Sequence, residues 1–152
     1  MRYFLDTEFN GFGGDLISIA LVPEDEAVEP FYEAVACSDP TPWVAEHVLP
    51  VLATRSLTRG ELADRFAHYL IDDERPLLVA DWPEDIAHAL RLLITGPGQM
   101  VPIRSIRFEL VDPGIMGPGV PGAVPHNAFH DAVALRAMVL AYERRVGVVP
   151  AR

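Results

Sequence analysis

The order in which strand-like and helix-like segments follow one another most constrains the fold of this 152-residue chain. Three apolar runs of strand length come first, separated by short polar turns, and they predict an antiparallel meander. Helical patterns then alternate with two further apolar strands, giving the order β-β-β-α-α-β-α-β-α. This order is typical of an α/β fold in which one mixed sheet of five strands is flanked by helices. The predicted strands are residues 2–9, 16–22, 28–35, 76–81 and 104–111.

The chain is long enough for one domain with its own hydrophobic core, and no linker or internal repeat divides residues 1–152. Its one cysteine, Cys37, excludes an internal disulfide and a cysteine-based zinc site. No apolar run approaches the length needed to span a membrane. Asp6 interrupts the N-terminal apolar run too early for a signal peptide. We therefore expect a single cytoplasmic domain that does not associate with membranes.

Charge is distributed unevenly along the chain. All 12 basic residues are arginines, and 22 acidic residues give a formal net charge of −10. The first 100 residues contain 18 of the acids and 6 arginines, whereas the last 52 contain 4 acids and 6 arginines. Such a surface repels polyanions unless bound cations or concentrated arginines offset the charge. Composition therefore neither indicates nor excludes a nucleic-acid partner.

Two acidic residues in the first predicted strand are unusual. Asp6 and Glu8 are two residues apart, so both side chains leave the same face of the strand, about 7 Å apart. Within an apolar strand, such carboxylates repel each other and lose hydration. Either the strand ends at Leu5 and both acids are solvated, or a cation compensates them. In the second case they are oxygen ligands of the kind that Mg²⁺ and Mn²⁺ prefer.

A second group of polar residues lies at the start of the last predicted helix. Asn127 is a suitable N-cap, which places Asp131 near the helix N-terminus and His126 just before the helix. The helix dipole alone would also favour a carboxylate at this position. His126 follows a loop rich in glycine and proline, Pro113–Pro125. It is either an ordinary surface residue or a general base delivered by that loop to metal-binding carboxylates.

Together these motifs resemble the DEDDh 3′–5′ exonucleases. The resemblance lies in Asp6-Thr7-Glu8 at the end of the first strand and in His126-x-Ala128-x-x-Asp131 at the start of the last helix. The segments 4–9 and 16–20 are most similar to a small bacterial branch of 3′–5′ exoribonucleases. The resemblance implies a ribonuclease H-like fold, in which three antiparallel strands are followed by parallel additions.

The middle motif of this family requires an aspartate at the start of the helix that follows the fourth strand. The segment 81–85 contains Asp81 and Asp85, but it lacks the Asn-x-x-Phe-Asp motif that is common in the family. Asp85 is better placed, because a helical apolar pattern continues directly from it, whereas Asp81 lies at the strand end. Asp85 is therefore predicted as the fourth ligand, and the alternative is an ordinary acidic residue of a first helical turn.

The same resemblance implies hydrolysis of phosphodiester bonds from the 3′ end of single-stranded RNA or 3′ overhangs, with release of nucleoside 5′-monophosphates. Asp6 is expected to bridge two divalent cations, Mg²⁺ or Mn²⁺. Glu8 and Asp131 are expected to hold the cation on the nucleophile side, and Asp85 to help hold the other. His126 is expected to accept the proton of the attacking water. A homodimer is also expected, because related enzymes are commonly dimers.

Aromatic residues near the acids are candidates for stacking on a base. Phe9 and Trp82 adjoin the proposed ligands and are predicted to contact the substrate, whereas Phe12 and Trp43 are more typical of core packing. The histidines predicted to lie on helix surfaces are His47, His68 and His88.

Two other functions stay open at this stage. One is a DNA-directed exonuclease of the same class, since no residue can be assigned to recognising the 2′-hydroxyl of RNA. The other is a non-catalytic module that binds nucleic acid or protein on this fold. The imperfect middle motif supports that module, whereas the presence of all four acids and His126 opposes it. Motifs of serine hydrolases, P-loop proteins and zinc proteases are absent.

Overall fold

The computed structural model describes residues 1–116 and 124–147, which form eight strands and five α-helices. The helices are α1 (Pro42–His47), α2 (Arg59–Tyr69), α3 (Pro83–Leu92), α4 (Pro113–Met116) and α5 (Ala128–Val146), with a 3₁₀ turn at Leu49–Val51. The strands are β1 (Arg2–Phe9), β2 (Leu16–Pro23), β3 (Phe31–Val35), β4 (Ser56–Leu57), β5 (Leu77–Ala80), β6 (Ile94–Gly96), β7 (Gln99–Met100) and β8 (Arg107–Leu110).

The main sheet has the strand order β4-β3-β2-β1-β5-β8. Strands β1, β2 and β3 are antiparallel neighbours, whereas β5 pairs parallel with β1 and β8 pairs parallel with β5. Helices pack on both faces of this sheet. The predicted α/β class is therefore confirmed, with its antiparallel meander followed by parallel additions.

The sheet differs from the prediction in its number of strands. It has six strands rather than five, because β4 pairs parallel with Ala34 and Val35 at the end of β3. A separate hairpin joins β6 and β7. Strands of two or three residues are too short to produce a periodic pattern, so their pairing depends on the neighbouring strand. β3 begins at Phe31 rather than residue 28, and Pro30 before it has no N–H to donate to a ladder.

Successive side chains of β1 belong to two different hydrophobic cores. Leu5 packs in the core beneath α2 and α3, whereas Phe4 packs in the core beneath α5. Alternation along the strand then directs Thr7 towards the side of α3, and Asp6 and Glu8 towards the side of α5. The strand therefore carries its polar residues to both faces of the sheet at one end.

Helix α5 has 19 residues and begins at the predicted cap, since Asn127 accepts hydrogen bonds from the N–H groups of Phe129 and His130. It ends at Gly147, whose φ of 72° closes the helix in the left-handed conformation. The predicted Pro113–Pro125 loop begins with the short helix α4, and its residues 117–123 lie outside the described residues. Within the described part of the chain, no helix has the length and apolarity to cross a bilayer.

Candidate metal centre

Five carboxylates converge where β1 and β5 end. These strands are parallel neighbours, so their carboxyl ends lie at the same edge of the sheet. Asp6 and Glu8 lie near the end of β1, and Asp81 directly follows β5. Asp85 lies in the first turn of α3 and Asp131 in the first turn of α5. Both helix N-termini favour negative charge at this edge.

The carboxylates form two groups that share Asp6. In one group, oxygen atoms of Asp6, Glu8 and Asp131 all lie within 4.8 Å of one another. In the other, oxygen atoms of Asp6, Asp81 and Asp85 satisfy the same limit. Three carboxylate oxygens at this spacing form a donor set suited to a hard divalent cation. The arrangement fits two such cations with one ligand in common.

Burial and mutual repulsion raise the pKa values of these acids. Burial, followed by the charges of Asp131 and Asp85, raises the pKa of Glu8 to about 8. Burial raises the pKa of Asp85 to about 7, although hydrogen bonds from Thr7 oppose that shift. The pKa of Asp6 lies well above its ordinary value, first because of burial and then because of the neighbouring acids. Bound cations would relieve this repulsion by replacing the protons.

Thr7 fixes the orientation of the Asp85 carboxylate. The Thr7 hydroxyl and backbone N–H both donate to Oδ1 of Asp85, at 2.7 and 3.1 Å. The other oxygen, Oδ2, is buried and has no hydrogen-bond partner among the described residues. A buried carboxylate oxygen without a partner is uncommon, and within a group of acids it fits a cation ligand. The sequence did not single out Thr7, because its contact with α3 depends on the tertiary structure.

His126 is linked to the acidic centre through its backbone. Its N–H donates to Oδ2 of Asp131 at 3.1 Å, and its φ of 62° lies in the left-handed region that side chains other than glycine rarely adopt. The imidazole packs edge-on against the indole of Trp43, with ring centroids 4.8 Å apart. Its role as general base stays a prediction.

Asn127 anchors the start of α5 in the protein interior. Its side chain is buried, and the amide Nδ2 donates to the Val51 carbonyl at 2.5 Å and to the Tyr32 hydroxyl at 3.1 Å. Its Oδ1 meanwhile caps the helix. These bonds fix the turn that carries His126 and Asp131. Sequence analysis found the cap but not the partners that hold it.

The acidic centre opens into a cleft of about 520 Å³. Asp6, Glu8, Asp85 and Asp131 lie in its lining. The aromatic residues along its walls are Phe9, Phe12, Trp43 and Trp82.

Phe12 and Trp43 do not pack in the core, so that prediction is wrong. Phe12 is 90% exposed and Trp43 is 48% exposed. Gly11 and Gly13 flank Phe12 with φ values of 74° and 72°, and the turn they form projects the ring away from the sheet. Exposure of this kind has no signature in the sequence, because an isolated aromatic residue is compatible with either environment.

Glu84 connects two walls of the cleft. Its carboxylate accepts a hydrogen bond from the indole N–H of Trp82 at 3.1 Å and from the backbone N–H of Gly13 at 2.9 Å. The Gly-rich turn that carries Phe12 is therefore joined to the start of α3.

The prediction that His88 lies on a helix surface is also wrong. Its side chain is only 4% exposed, and its ring stacks on Phe9 with centroids 5.0 Å apart. His88 shares the buried face of α3 with Asp85, Ala89 and Leu92. The spacing of these four residues is helical, so the sequence contained the signal for this burial.

The strand order and flanking helices are those of a ribonuclease H-like fold. Among solved structures, the chain is similar to Exonuclease X in complex with 5′ overhanging duplex DNA. The TM-score is 0.60 and the identity 16%, and the match covers 98% of this chain and 95% of that chain. No family model and no curated protein matches the sequence. At this identity, the likeness shows the fold.

Two neighbouring aspartates permit a matched test of the second carboxylate group. We expect Asp85→Asn to weaken Mn²⁺ binding at least about tenfold, because it replaces an oriented, buried ligand oxygen. Asp81→Asn makes the same charge change in the same group and should have a smaller effect. Isothermal titration calorimetry with Mn²⁺ would measure both, and circular dichroism would check that the fold is retained. The reverse ranking would assign the middle ligand to Asp81.

The raised pKa values predict that cations stabilise the protein more at higher pH. Without cations, the folded state keeps a proton on Glu8 that the unfolded chain loses near its ordinary pKa of 4.5. The free energy of unfolding should therefore fall as pH rises from about 4.5 through about 8. Thermal unfolding in EDTA and in Mn²⁺ at pH 5.5 and 8.0 would test this. We expect a larger Mn²⁺-induced rise in Tm at pH 8.0, and equal rises would contradict the expectation.

Proposed function

We propose that this protein is a metal-dependent 3′–5′ exonuclease that removes nucleotides from single-stranded RNA or 3′ overhangs. The observation that carries the proposal is the pair of carboxylate groups sharing Asp6 at the base of an aromatic cleft. A donor set made only of carboxylates suits Mg²⁺ or Mn²⁺, and two such cations at a shared ligand suit phosphodiester hydrolysis. The products would be nucleoside 5′-monophosphates.

Each residue of the centre has a distinct part in this proposal. Glu8 and Asp131 would hold one cation, Asp85 would hold the other with Asp81 beside it, and Asp6 would bind both. When bound, the cations stabilise the charge of the phosphate transition state and lower the pKa of the attacking water. His126, whose backbone N–H is hydrogen-bonded to Asp131, would accept the proton of that water with its imidazole.

The cleft has the dimensions and walls expected for the last nucleotide of a strand. Its volume of about 520 Å³ is within the usual range for small-ligand sites. Phe9 and Trp82 would contact the terminal base, and Phe12 and Trp43 add two exposed aromatic surfaces for stacking. Because the chain carries a net charge of −10, affinity would be concentrated at the strand end rather than along an extended surface.

RNA is the favoured substrate because the first strand and its Asp6-Thr7-Glu8 motif resemble those of bacterial 3′–5′ exoribonucleases. DNA is the second candidate, and it is favoured by the likeness to a solved exonuclease bound to duplex DNA. A homodimer remains part of the proposal, and sedimentation velocity of the purified protein would test it.

Removal of the shared ligand should abolish hydrolysis. We expect Asp6→Asn, or excess EDTA, to reduce the release of mononucleotides at least about a thousandfold, because both cation positions depend on this carboxylate. Asp72→Asn removes the same charge from an exposed position outside the cleft and should retain activity. Labelled single-stranded RNA, single-stranded DNA and 5′-overhanging duplex DNA would serve as substrates. Faster hydrolysis of DNA would favour the second candidate, and activity that persists in EDTA would overturn the proposal.

Replacement of the proposed base should slow catalysis without affecting cation binding. We expect His126→Ala to lower kcat by about 10²–10⁴, the usual contribution of a positioned base. His130→Ala, four residues further along the chain, should retain kcat and is the matched control. Added imidazole should restore part of the activity of His126→Ala, and calorimetry should give an unchanged Kd for Mn²⁺. An inactive His130→Ala beside an active His126→Ala would contradict the assignment.

A further inference from the structure

A second cavity, of about 510 Å³, lies beside the acidic cleft. The Gly-rich turn after β1 separates the two, since Phe12 lines the cleft and Gly13 lines the second cavity. The stacked rings of Phe9 and His88 form another shared wall, with Phe9 on the side of the cleft and His88 on the side of the second cavity. A ligand that extends beyond the cleft past the Gly-rich turn would reach the second cavity.

His88 supplies an unused polar group to the second cavity. The side chain is only 4% exposed, and it lines the cavity. Its ring makes no hydrogen bond to any residue in the described ranges 1–116 and 124–147. No protein group among the described residues occupies the polar atoms of the His88 ring, so they are available to a ligand in the cavity that carries a hydrogen-bonding group.

The charged side chains that line the cavity favour an anion. Arg59 and Arg91 both line the cavity, and Nη2 of Arg59 donates to the backbone carbonyl of Arg91, which holds the two residues side by side. One acidic residue, the exposed Asp15, also lines the cavity. Glu84 and Glu61 lie outside the lining, and their carboxylates accept hydrogen bonds from Gly13 and Thr58. Two arginines and one aspartate leave a net charge of +1 on the charged lining side chains, on a chain whose net charge is −10.

We propose that the second cavity binds a phosphate group of the nucleic-acid strand whose 3′ end lies in the acidic cleft. Guanidinium groups match the geometry of phosphate oxygens and bind them through paired hydrogen bonds. The proposal that the cavity binds phosphate depends only on the residues of the cavity. The proposal that a nucleic-acid strand supplies this phosphate rests on the proposed function. A free phosphate or mononucleotide is the other possible source of the same chemistry.

The first experiment tests the phosphate site without any hydrolysis. Inorganic phosphate is titrated into the full chain in EDTA, where the acidic centre repels anions, and the histidine ring protons are followed by NMR. We expect the His88 signal to shift. The double substitution Arg59→Gln and Arg91→Gln should raise the Kd for phosphate at least about fivefold. No binding by the wild-type protein, or equal binding by the double variant, would overturn the proposal.

Arg144→Gln is the control for the loss of one positive charge, and it is compared with Arg91→Gln alone, which should weaken phosphate binding. Arg144 is exposed and lies 13 residues beyond Asp131 on α5, about 20 Å along the helix, so its loss should leave phosphate binding unchanged. If Arg144→Gln weakens phosphate binding as much as Arg91→Gln does, then net charge rather than a site attracts the phosphate. That result would overturn the proposal.

The second experiment identifies the source of the phosphate. KM and kcat are measured with Mn²⁺ on a dinucleotide and on an octanucleotide of RNA. If the strand supplies the phosphate, the double variant should raise KM for the octanucleotide about fivefold, with KM for the dinucleotide and both kcat values unchanged. Unchanged KM for both lengths would overturn the strand as the source and assign the cavity to free phosphate. The wild-type protein could bind phosphate in EDTA and yet hydrolyse neither substrate. That result would overturn both the proposed exonuclease function and the strand as the source of the phosphate, but the phosphate site itself would still be supported.

Discussion

The structure around the carboxyl end of β1 is organised by one electrostatic conflict. Asp6, Glu8, Asp81, Asp85 and Asp131 occupy a space in which their charges repel one another and are partly removed from water. The fold holds this arrangement in place by hydrogen bonds and by the N-termini of α3 and α5. Proteins rarely retain such a cost without a compensating cation, which is why the centre indicates a function rather than a structural role.

The supporting interactions come from residues that are not themselves ligands. Thr7 orients Asp85, Asn127 fixes the turn before Asp131, and Glu84 joins the start of α3 to the Gly-rich turn. Each of these contacts connects two elements that are far apart in the sequence. The geometry of the centre is therefore determined by the packing of helices against the sheet as much as by the acids.

The sequence predicted the parts of the structure that rest on local patterns. Alternating strand and helix patterns gave the α/β class, and the cap at Asn127 gave the start of α5. The two-residue strand β4 had no pattern to detect, because its pairing depends on β3. The burial of His88 was present in the spacing of α3 and was overlooked, since a histidine is usually found on the surface of a helix.

Sequence analysis of the site likewise found the residues that local patterns mark and missed those that depend on contacts between distant residues. The acids that the sequence singled out do lie together, because two strands and two helices end at one edge of the sheet. Thr7, Glu84 and the exposure of Phe12 depend on distant contacts, and no local pattern contains them. The catalytic roles themselves follow from chemistry and resemblance, and they await the substitutions described above.

Asp6 belongs to both carboxylate groups, so it connects the two cation positions mechanically. One group includes a residue of α5 and the other a residue of α3, and these helices pack on opposite faces of the sheet. With a cation in each group, the Asp6 side chain would link the helix layer that contains α3 to the helix layer that contains α5. Local opening of either helix would then break coordination shared with the other, so bound cations would make the two layers exchange their amide hydrogens as one cooperative unit.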